Sequence, residues 1–346
     1  MGQRVGPTEK EMALRLLLKA LLVLALLIAA VVTLAPFLID QRPLATAGDS
    51  HQAATTPGQF LTIPFPGTDG LDIHYLESGG DTQGPVFLLL HGFTLNAFTW
   101  GPVLEAFAVR GRAIAYDQPP YGLSAKPAAG DWTGENPYAK ETAIAQLFSV
   151  MDGLGVERAI LVGSSSGGTL ALEAALARPE RVQALILVAP WVFAQRPTLP
   201  RWLAELPQLR RLSLLIARKL GDQTLLRYSY RDPARISSER ESLARLHTSL
   251  AGWDLAWGEL LNRSLSTPVD VGHRLAAVRQ PTLVITGDMD KLVSPADTER
   301  AAAALPAAAL VTLPDCGHLP QEECPGPFID AVSAWLKGLD QLGPSR

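Results

Sequence analysis

Hydrophobic and polar positions divide the chain into stretches of different character. Residues 20–39 (ALLVLALLIAAVVTLAPFLI) carry no charge, and their apolarity runs round every side of a helix rather than along one stripe. At 1.5 Å of rise per residue such a run crosses a hydrocarbon core of roughly 30 Å. Residues 40–59 are rich in Ala, Thr, Gly and Pro with no apolar period, the composition of a flexible linker. From Phe60 onward, short apolar runs alternate with longer amphipathic ones. Eight runs read as strands, over 60–65, 71–77, 86–90, 112–116, 159–162, 184–188, 282–286 and 309–313. The middle ones (VFLLL, AILV, ALILV, TLVIT) are continuously apolar, as expected where helices cover both faces of a mostly parallel sheet. Helical spacing fills the intervals at 142–154, 167–177, 296–305 and 328–339. The alternation stops between Pro190 and Gln280, where helical patterns run on without a convincing strand. The pattern therefore predicts an α/β core over 60–190 and 281–340, interrupted by a helical cap over 191–280.

Charge refines this picture. Arg4, Lys10, Arg15 and Lys19 precede the apolar run and Arg42 follows it, so the positive-inside bias places residues 1–39 as a cytoplasmic tail and single-pass anchor, with the bulk of the chain outside. Ala45-Thr46-Ala47 offers the small-x-small pattern of a signal peptidase site, which makes secretion after cleavage the alternative. The apolar run exceeds the usual signal-peptide length and Ala47 lies well past its end, so the anchor is the expectation. Lys and Arg number 30 against 34 Asp and Glu, a net charge of -4, which argues against a nucleic-acid partner. Between Arg196 and Arg240, however, ten Lys or Arg stand against four Asp or Glu, a local +6 that suggests contact with anionic lipid headgroups. No Cys/His array has zinc spacing, and neither a metal nor a cofactor is expected. Cys316 and Cys324 are expected as reduced, buried thiols, with a bridge as the alternative in an oxidising compartment. Asn262-Arg263-Ser264 fits a glycosylation sequon that matters only on a eukaryotic secretory route.

Candidate chemistry centres on Gly163-Ser164-Ser165-Ser166-Gly167, which follows the run AILV and opens a small-residue helix. A turn sharp enough to lift a hydroxyl above a sheet crowds its neighbours, so glycine is needed two positions either side; only Ser165 meets that condition. A serine hydroxyl needs a base, and the base needs a third group to hold its tautomer. Asp290 follows the run TLVIT and His318 follows ALVTL, so parallel strands would carry both to the edge where the turn emerges. Asp288 competes with Asp290 for the acid's place. An oxyanion needs backbone N–H groups, for which Ser166 and Phe93 are the candidates, while His91 reads as a brace of its loop.

With these motifs the chain resembles the α/β-hydrolase superfamily over roughly residues 60–339. The resemblance rests on HGFTLNAFTW (91–100), YDQPPYGLS (116–124), GSSSGG (163–168), GDMDKLVSP (287–295) and CGHLPQEECP (316–325), in that order. It implies Ser165 as nucleophile, Asp290 as acid, His318 as base, Phe93 and Ser166 as oxyanion donors, and structural roles for Asp117 and Glu323. Pro120 stands where relatives often carry glycine, and Ser166 where they often carry Met, Leu or Ala. A serine nucleophile argues against haloalkane dehalogenases and epoxide hydrolases, which use aspartate. Trp191, Trp202, Trp253 and Trp257 fall in the cap, consistent with an apolar acyl or aryl pocket or with ordinary cap packing. The expected activity is hydrolysis of carboxylic esters, small lipid or other hydrophobic ones, through an acyl-enzyme. The alternatives are a carbon-carbon bond hydrolase of aromatic ring-cleavage products, which would want a cap cation facing a substrate carboxylate, and a catalytically silent binding module.

Overall fold

The computed structural model describes residues 8–44, 55–80, 84–193, 198–222 and 225–341. Helix α1 (Glu9–Leu34) leads into a 3-10 turn over Ala35–Leu38. There follow β1 (Gln59–Ile63), β2 (Leu71–Ser78), β3 (Val86–Leu90), α2 (Gly101–Ala108), β4 (Arg112–Tyr116), α3 (Lys140–Gly153), β5 (Ala159–Ser164), α4 (Ser166–Ala177) and β6 (Val182–Val188). The cap contributes α5 (Arg201–Ala204), α6 (Pro207–Asp222), α7 (Leu226–Ser229), α8 (Ser238–Ala244) and α9 (Trp253–Ser264). The chain then returns through β7 (Thr282–Gly287), α10 (Pro295–Ala304), β8 (Ala308–Leu313), α11 (Pro320–Glu323) and α12 (Pro325–Gln341).

The strands form one eight-stranded sheet in the order β1-β2-β4-β3-β5-β6-β7-β8. Only β1 with β2 and β2 with β4 pair antiparallel; from β4 to β8 every pairing is parallel. The carboxyl ends of β3, β5, β6, β7 and β8 therefore share one edge. Alternation along each strand separates two apolar layers. Leu88, Leu90, Leu161 and Leu185 face α3, α4 and α10, whereas Phe87, Leu89, Ile160 and Ile186 face α2 and α12. All six residues of β5 are buried, which is why its sequence reads as unbroken apolarity rather than alternation. Pro64, lacking an N–H for the ladder, ends β1 two residues before the predicted boundary. Helix α2 has no counterpart in the sequence reading, because eight residues opening with Gly-Pro are too few to display a period.

The N-terminal segment is helical from Glu9, and Met12–Leu38 is long and apolar enough to cross a membrane, with a mean hydropathy of 2.9 over an 18-residue stretch of it. The linker expectation needs correction at its start. Residues 40–44 are held against the cap: Arg218 donates to the Asp40 and Arg42 carbonyls at 2.8 Å each, and the Leu44 amide donates to Asp254 Oδ2 at 3.2 Å. Arg218 also pairs with the fully buried Asp254 at 2.9 Å, so one guanidinium joins cap and linker. Residues 45–54, which include Ala45-Thr46-Ala47, lie outside the described residues.

Candidate active site

The residue between β5 and α4 is Ser165, with φ 53° and ψ −118°. A non-glycine residue at positive φ is strained, and such strain is retained where the surroundings enforce it. Here close packing enforces it. A Cβ on Gly163 would lie 2.4 Å from the Gly167 carbonyl oxygen, and one on Gly167 would lie 2.3 Å from the Leu90 carbonyl oxygen. The glycines two positions either side are thus required by backbone contact, as the motif demands. The Ser165 amide donates to the Val188 carbonyl at 2.8 Å and its carbonyl accepts from the Trp191 amide at 3.1 Å, which ties the turn to the end of β6. Ser165 itself is half-buried, while Ser164 is fully buried.

His318 and Asp290 meet at the same sheet edge, with Nδ1 and Oδ2 2.7 Å apart and both side chains buried. The other carboxylate oxygen of Asp290 accepts from the Leu292 and Val293 amides at 2.8 and 3.0 Å, which fixes the carboxylate's plane. With Nδ1 turned to the carboxylate, Nε2 is the ring nitrogen that faces away from Asp290. Asp288, the competing acid, accepts from the Cys316 amide at 3.3 Å and so braces the histidine's loop instead. No hydrogen bond joins Ser165 to His318 among the described residues; Ser165 shares their edge of the sheet.

The loop carrying His318 is fastened from several sides. Cys316 and Cys324 form a disulfide with their Cα atoms 6.2 Å apart, which corrects the expectation of reduced thiols. The turn of α11 folds the chain back and brings the two sulfurs together, a tertiary effect that spacing does not reveal. Glu323 accepts from the Gly317 amide at 2.8 Å and from the cap amides of Arg231 and Asp232 at 3.0 Å each. Glu322 takes the guanidinium of Arg240 in a bidentate pair at 2.7 and 2.8 Å, and accepts from Tyr230 at 2.8 Å. The cap is therefore latched to the segment that presents His318. Sequence reasoning anticipated a structural Glu323 but not Glu322 or Arg240, whose partnership spans 82 positions and leaves no local signal.

The candidate oxyanion donors, Phe93 and Ser166, flank the serine. Ser166 opens α4, where first-turn amides have no intrahelical acceptor, and the Phe93 amide donates to no carbonyl among the described residues. A Cβ built on Gly92 would stand 3.1 Å from Ser165 Cβ, so the loop after β3 lies directly against the serine. His91 braces that loop: its Nε2 accepts from the Gln118 amide at 3.0 Å and its Nδ1 donates to the Gly92 carbonyl at 2.8 Å. Burial holds the His91 pKa below its ordinary value, consistent with this neutral tautomer.

Phe93 and Ser166 also line a cavity of about 440 Å³ between core and cap. Its walls include Tyr138, Leu170, Trp191, Leu220, Leu260 and Leu261. Ser166, Thr169, Leu170 and Glu173 line it from one face of α4, so Glu173 lies about 10 Å along the helix from the serine end. There it is paired with Arg274 at 2.6 Å and Lys140 at 3.4 Å. Over the cavity the cap packs Trp253, Trp257 and Ala217 against Tyr121, and the Trp257 indole donates to the Pro120 carbonyl at 3.2 Å. Pro120, the departure noted in the sequence, follows a cis peptide bond and serves as that acceptor.

The chain is similar to known proteins over most of its length. The α/β hydrolase fold family matches residues 85–325. A 2-hydroxy-6-oxononadienedioate/2-hydroxy-6-oxononatrienedioate hydrolase of Paraburkholderia phymatum is 32% identical over 79% of this chain and 93% of its own length. A pimeloyl-[acyl-carrier protein] methyl ester esterase of Nitrosomonas europaea is 29% identical over 75% of this chain and 98% of its own. Among solved structures, a membrane phospholipase A described as a bacterial virulence factor has the same fold, with a TM-score of 0.60 at 24% identity over 94% of this chain and 99% of that one. With that match over residues 85–325 and an eight-stranded sheet of the corresponding topology, the chain belongs to the α/β hydrolase fold family.

Proposed function

We propose that the protein is a membrane-anchored serine hydrolase of hydrophobic carboxylic esters. The observation that carries this reading is Ser165, held at φ 53° where β5 meets α4, beside an apolar cavity and on the sheet edge that bears the His318–Asp290 pair. In the first step Nε2 of His318 takes the Ser165 proton as Oγ attacks the ester carbonyl. The Phe93 and Ser166 amides receive the developing oxyanion, and His318 returns the proton to the leaving alkoxide. Water then repeats the sequence on the acyl-enzyme. Asp290 stays ionised throughout and stabilises the imidazolium that forms.

Substrate class follows from the cavity, whose volume suits a ligand of moderate size and whose walls beyond Ser166 are largely apolar. A carbon-carbon hydrolase would need a cation free to meet a substrate carboxylate. Lys140, the lining cation among the described residues, is already held by Glu173 at 3.4 Å and Asp270 at 3.1 Å. The apolar helix ending at Leu34, with Arg4, Lys10, Arg15 and Lys19 in the part of the chain before residue 20, supports an anchored enzyme with its catalytic domain outside the cytoplasm.

A panel of p-nitrophenyl acyl esters of graded length tests the reading. The full chain should turn over apolar acyl esters, and Ser165→Ala should lose about 10⁴-fold or more of that turnover while keeping its circular dichroism. Equal turnover by the two proteins, or none on any ester by the folded wild type, would refute it.

A further inference from the structure

The cap helix α6 is apolar on two opposite faces. Its inner face packs Leu214 and Ala217 beneath the cap, and a Cβ on Gly221 would lie 2.0 Å from the Trp253 ring. The opposite face carries Leu212, Leu215 and Ile216, exposed at 38%, 41% and 52%. Helical spacing puts these three on one side with Gln208 and Lys219. A cap helix facing water would be polar there. Trp202 and Leu206, just before α6, extend the same exposed apolarity.

The end of the membrane-length helix α1 rests against this helix. Gln208 Nε2 donates to the Thr33 carbonyl at 3.5 Å, and Arg211 Nη1 donates to the Phe37 and Ile39 carbonyls at 3.1 Å each. The Arg211 guanidinium lies 4.9 Å from the centre of the Phe37 ring. With Arg218 holding Asp40 and Arg42, the chain leaving α1 is pinned along α6 from residue 33 to residue 42. A membrane helix pinned in this way fixes α6 at the bilayer surface.

The arginines of the cap serve this geometry rather than a free basic face. Of the ten Lys and Arg between 196 and 240, Arg201, Arg210, Arg227, Arg231 and Arg240 are paired with carboxylates, and Arg211 and Arg218 clamp the chain leaving α1. Seven of the ten cations behind the local +6 are thus engaged within the molecule; Lys219 and Arg235 stay exposed, Lys219 beside the apolar Leu212, Leu215 and Ile216.

We infer that the Leu212, Leu215 and Ile216 face of α6 docks into the same bilayer that α1 enters, as an interfacial helix continuous with the anchor. This inference rests on the anchor reading above. It makes the bilayer the source of substrate: α6 presents Leu212, Leu215 and Ile216 to lipid and Leu220 to the apolar cavity, so an acyl chain leaving the membrane has an apolar path along one helix.

Full-length protein carrying Ile216→Cys, labelled with a nitrobenzoxadiazole dye and reconstituted in vesicles of phosphatidylethanolamine and phosphatidylglycerol, tests it. The native cysteines are joined to each other, so the introduced thiol is the labelling site. Leu24→Cys, within α1, reports the anchor, and Val109→Cys, 82% exposed on the core, reports water. The expected result is a blue-shifted dye at 216, quenched by lipid-borne nitroxide and shielded from iodide as at 24, while the dye at 109 is open to iodide. A dye at 216 as open to iodide as that at 109, with 24 still quenched by lipid, overturns the docking and leaves the anchor standing. Loss of lipid quenching at both 24 and 216 overturns anchor and docking together.

Discussion

Two buried His–Asp pairs lie in this fold at nearly the same separation, 2.7 Å for His318 with Asp290 and 2.8 Å for His74 with Asp117. In both, Nδ1 faces a carboxylate oxygen and both side chains are removed from water. The difference lies at the other ring nitrogen. His74 Nε2 meets the Pro57 carbonyl at 3.1 Å, an acceptor, so both of its nitrogens face acceptors, an arrangement that favours the protonated ring. Burial opposes that charge, but the hydrogen bond and charge of Asp117 outweigh it and hold the His74 pKa above the ordinary value. Asp117 is further satisfied by the Ala97 and Leu123 amides at 2.6 and 2.7 Å, making it a hub that fixes the loops after β3 and β4. His318 Nε2 has no hydrogen-bond partner among the described residues. Two like dyads thus differ in the group facing the second nitrogen, which makes one a structural pair and leaves the other free to serve as the base in the function proposed above.

Replacing each histidine should separate the two roles, and the largest effect is expected at the base. His318→Gln can still donate to Asp290 but cannot accept the Ser165 proton; ester turnover should fall by about 10⁴-fold with little change in the denaturation midpoint. His74→Gln should do the reverse. It leaves the buried Asp117 carboxylate without its counter-charge, which costs about 3–5 kcal/mol of stability by chemical denaturation, while turnover of the folded fraction changes little.

The pH dependence of stability sharpens the contrast further. A histidine whose folded pKa is raised contributes stability in full below its unfolded value of 6.5 and loses it as pH rises through the folded value. For Asp117, burial is outweighed by its bonds to His74, so its pKa is lowered; its contribution is complete above 3.8 and lost as pH falls through the folded value. Denaturation midpoints across pH should therefore show an alkaline decline in the wild type that His74→Gln removes and His318→Gln retains.

A smaller effect is expected from His247 in the cap, stacked on Trp257 with ring centres 4.3 Å apart. Burial first, and the Lys126 charge next, lower its pKa to about 3. Because this ring is neutral in the fold, its contribution is whole above 6.5 and lost as pH falls from 6.5 toward 3. His247→Phe should flatten that acid limb without touching the alkaline one.

The contrast between the pairs also marks what a sequence exposes. Ser165, Asp290 and His318 each sit beside a motif within a few residues of an apolar strand, so local pattern makes them candidates. The continuous runs VFLLL, AILV, ALILV and TLVIT gave away the central strands because both sheet faces are covered. His74 carried no such mark: its partners, Asp117 and the Pro57 carbonyl, come from 43 positions later and 17 positions earlier. The same holds for Arg240 with Glu322, for Arg218 with the chain at residues 40–42, and for the closing of the Cys316–Cys324 bridge. Each depends on where the cap and its loops come to rest, which no local period encodes. By spacing Asp290 was the preferred acid and Asp288 its competitor. Only the turn after β7, with its amides at Leu292 and Val293, turns Asp290 toward the imidazole and Asp288 toward Cys316.

The most direct measurement is covalent labelling of the folded full chain with a fluorophosphonate, followed by peptide mass spectrometry. The phosphonyl group should reside on Ser165 at one per chain, be lost in Ser165→Ala, slow sharply in His318→Gln and persist in His74→Gln. Absence of the adduct from natively folded protein, or its appearance on another serine, would contradict the assignment of Ser165 as a hydroxyl activated by the His318–Asp290 pair.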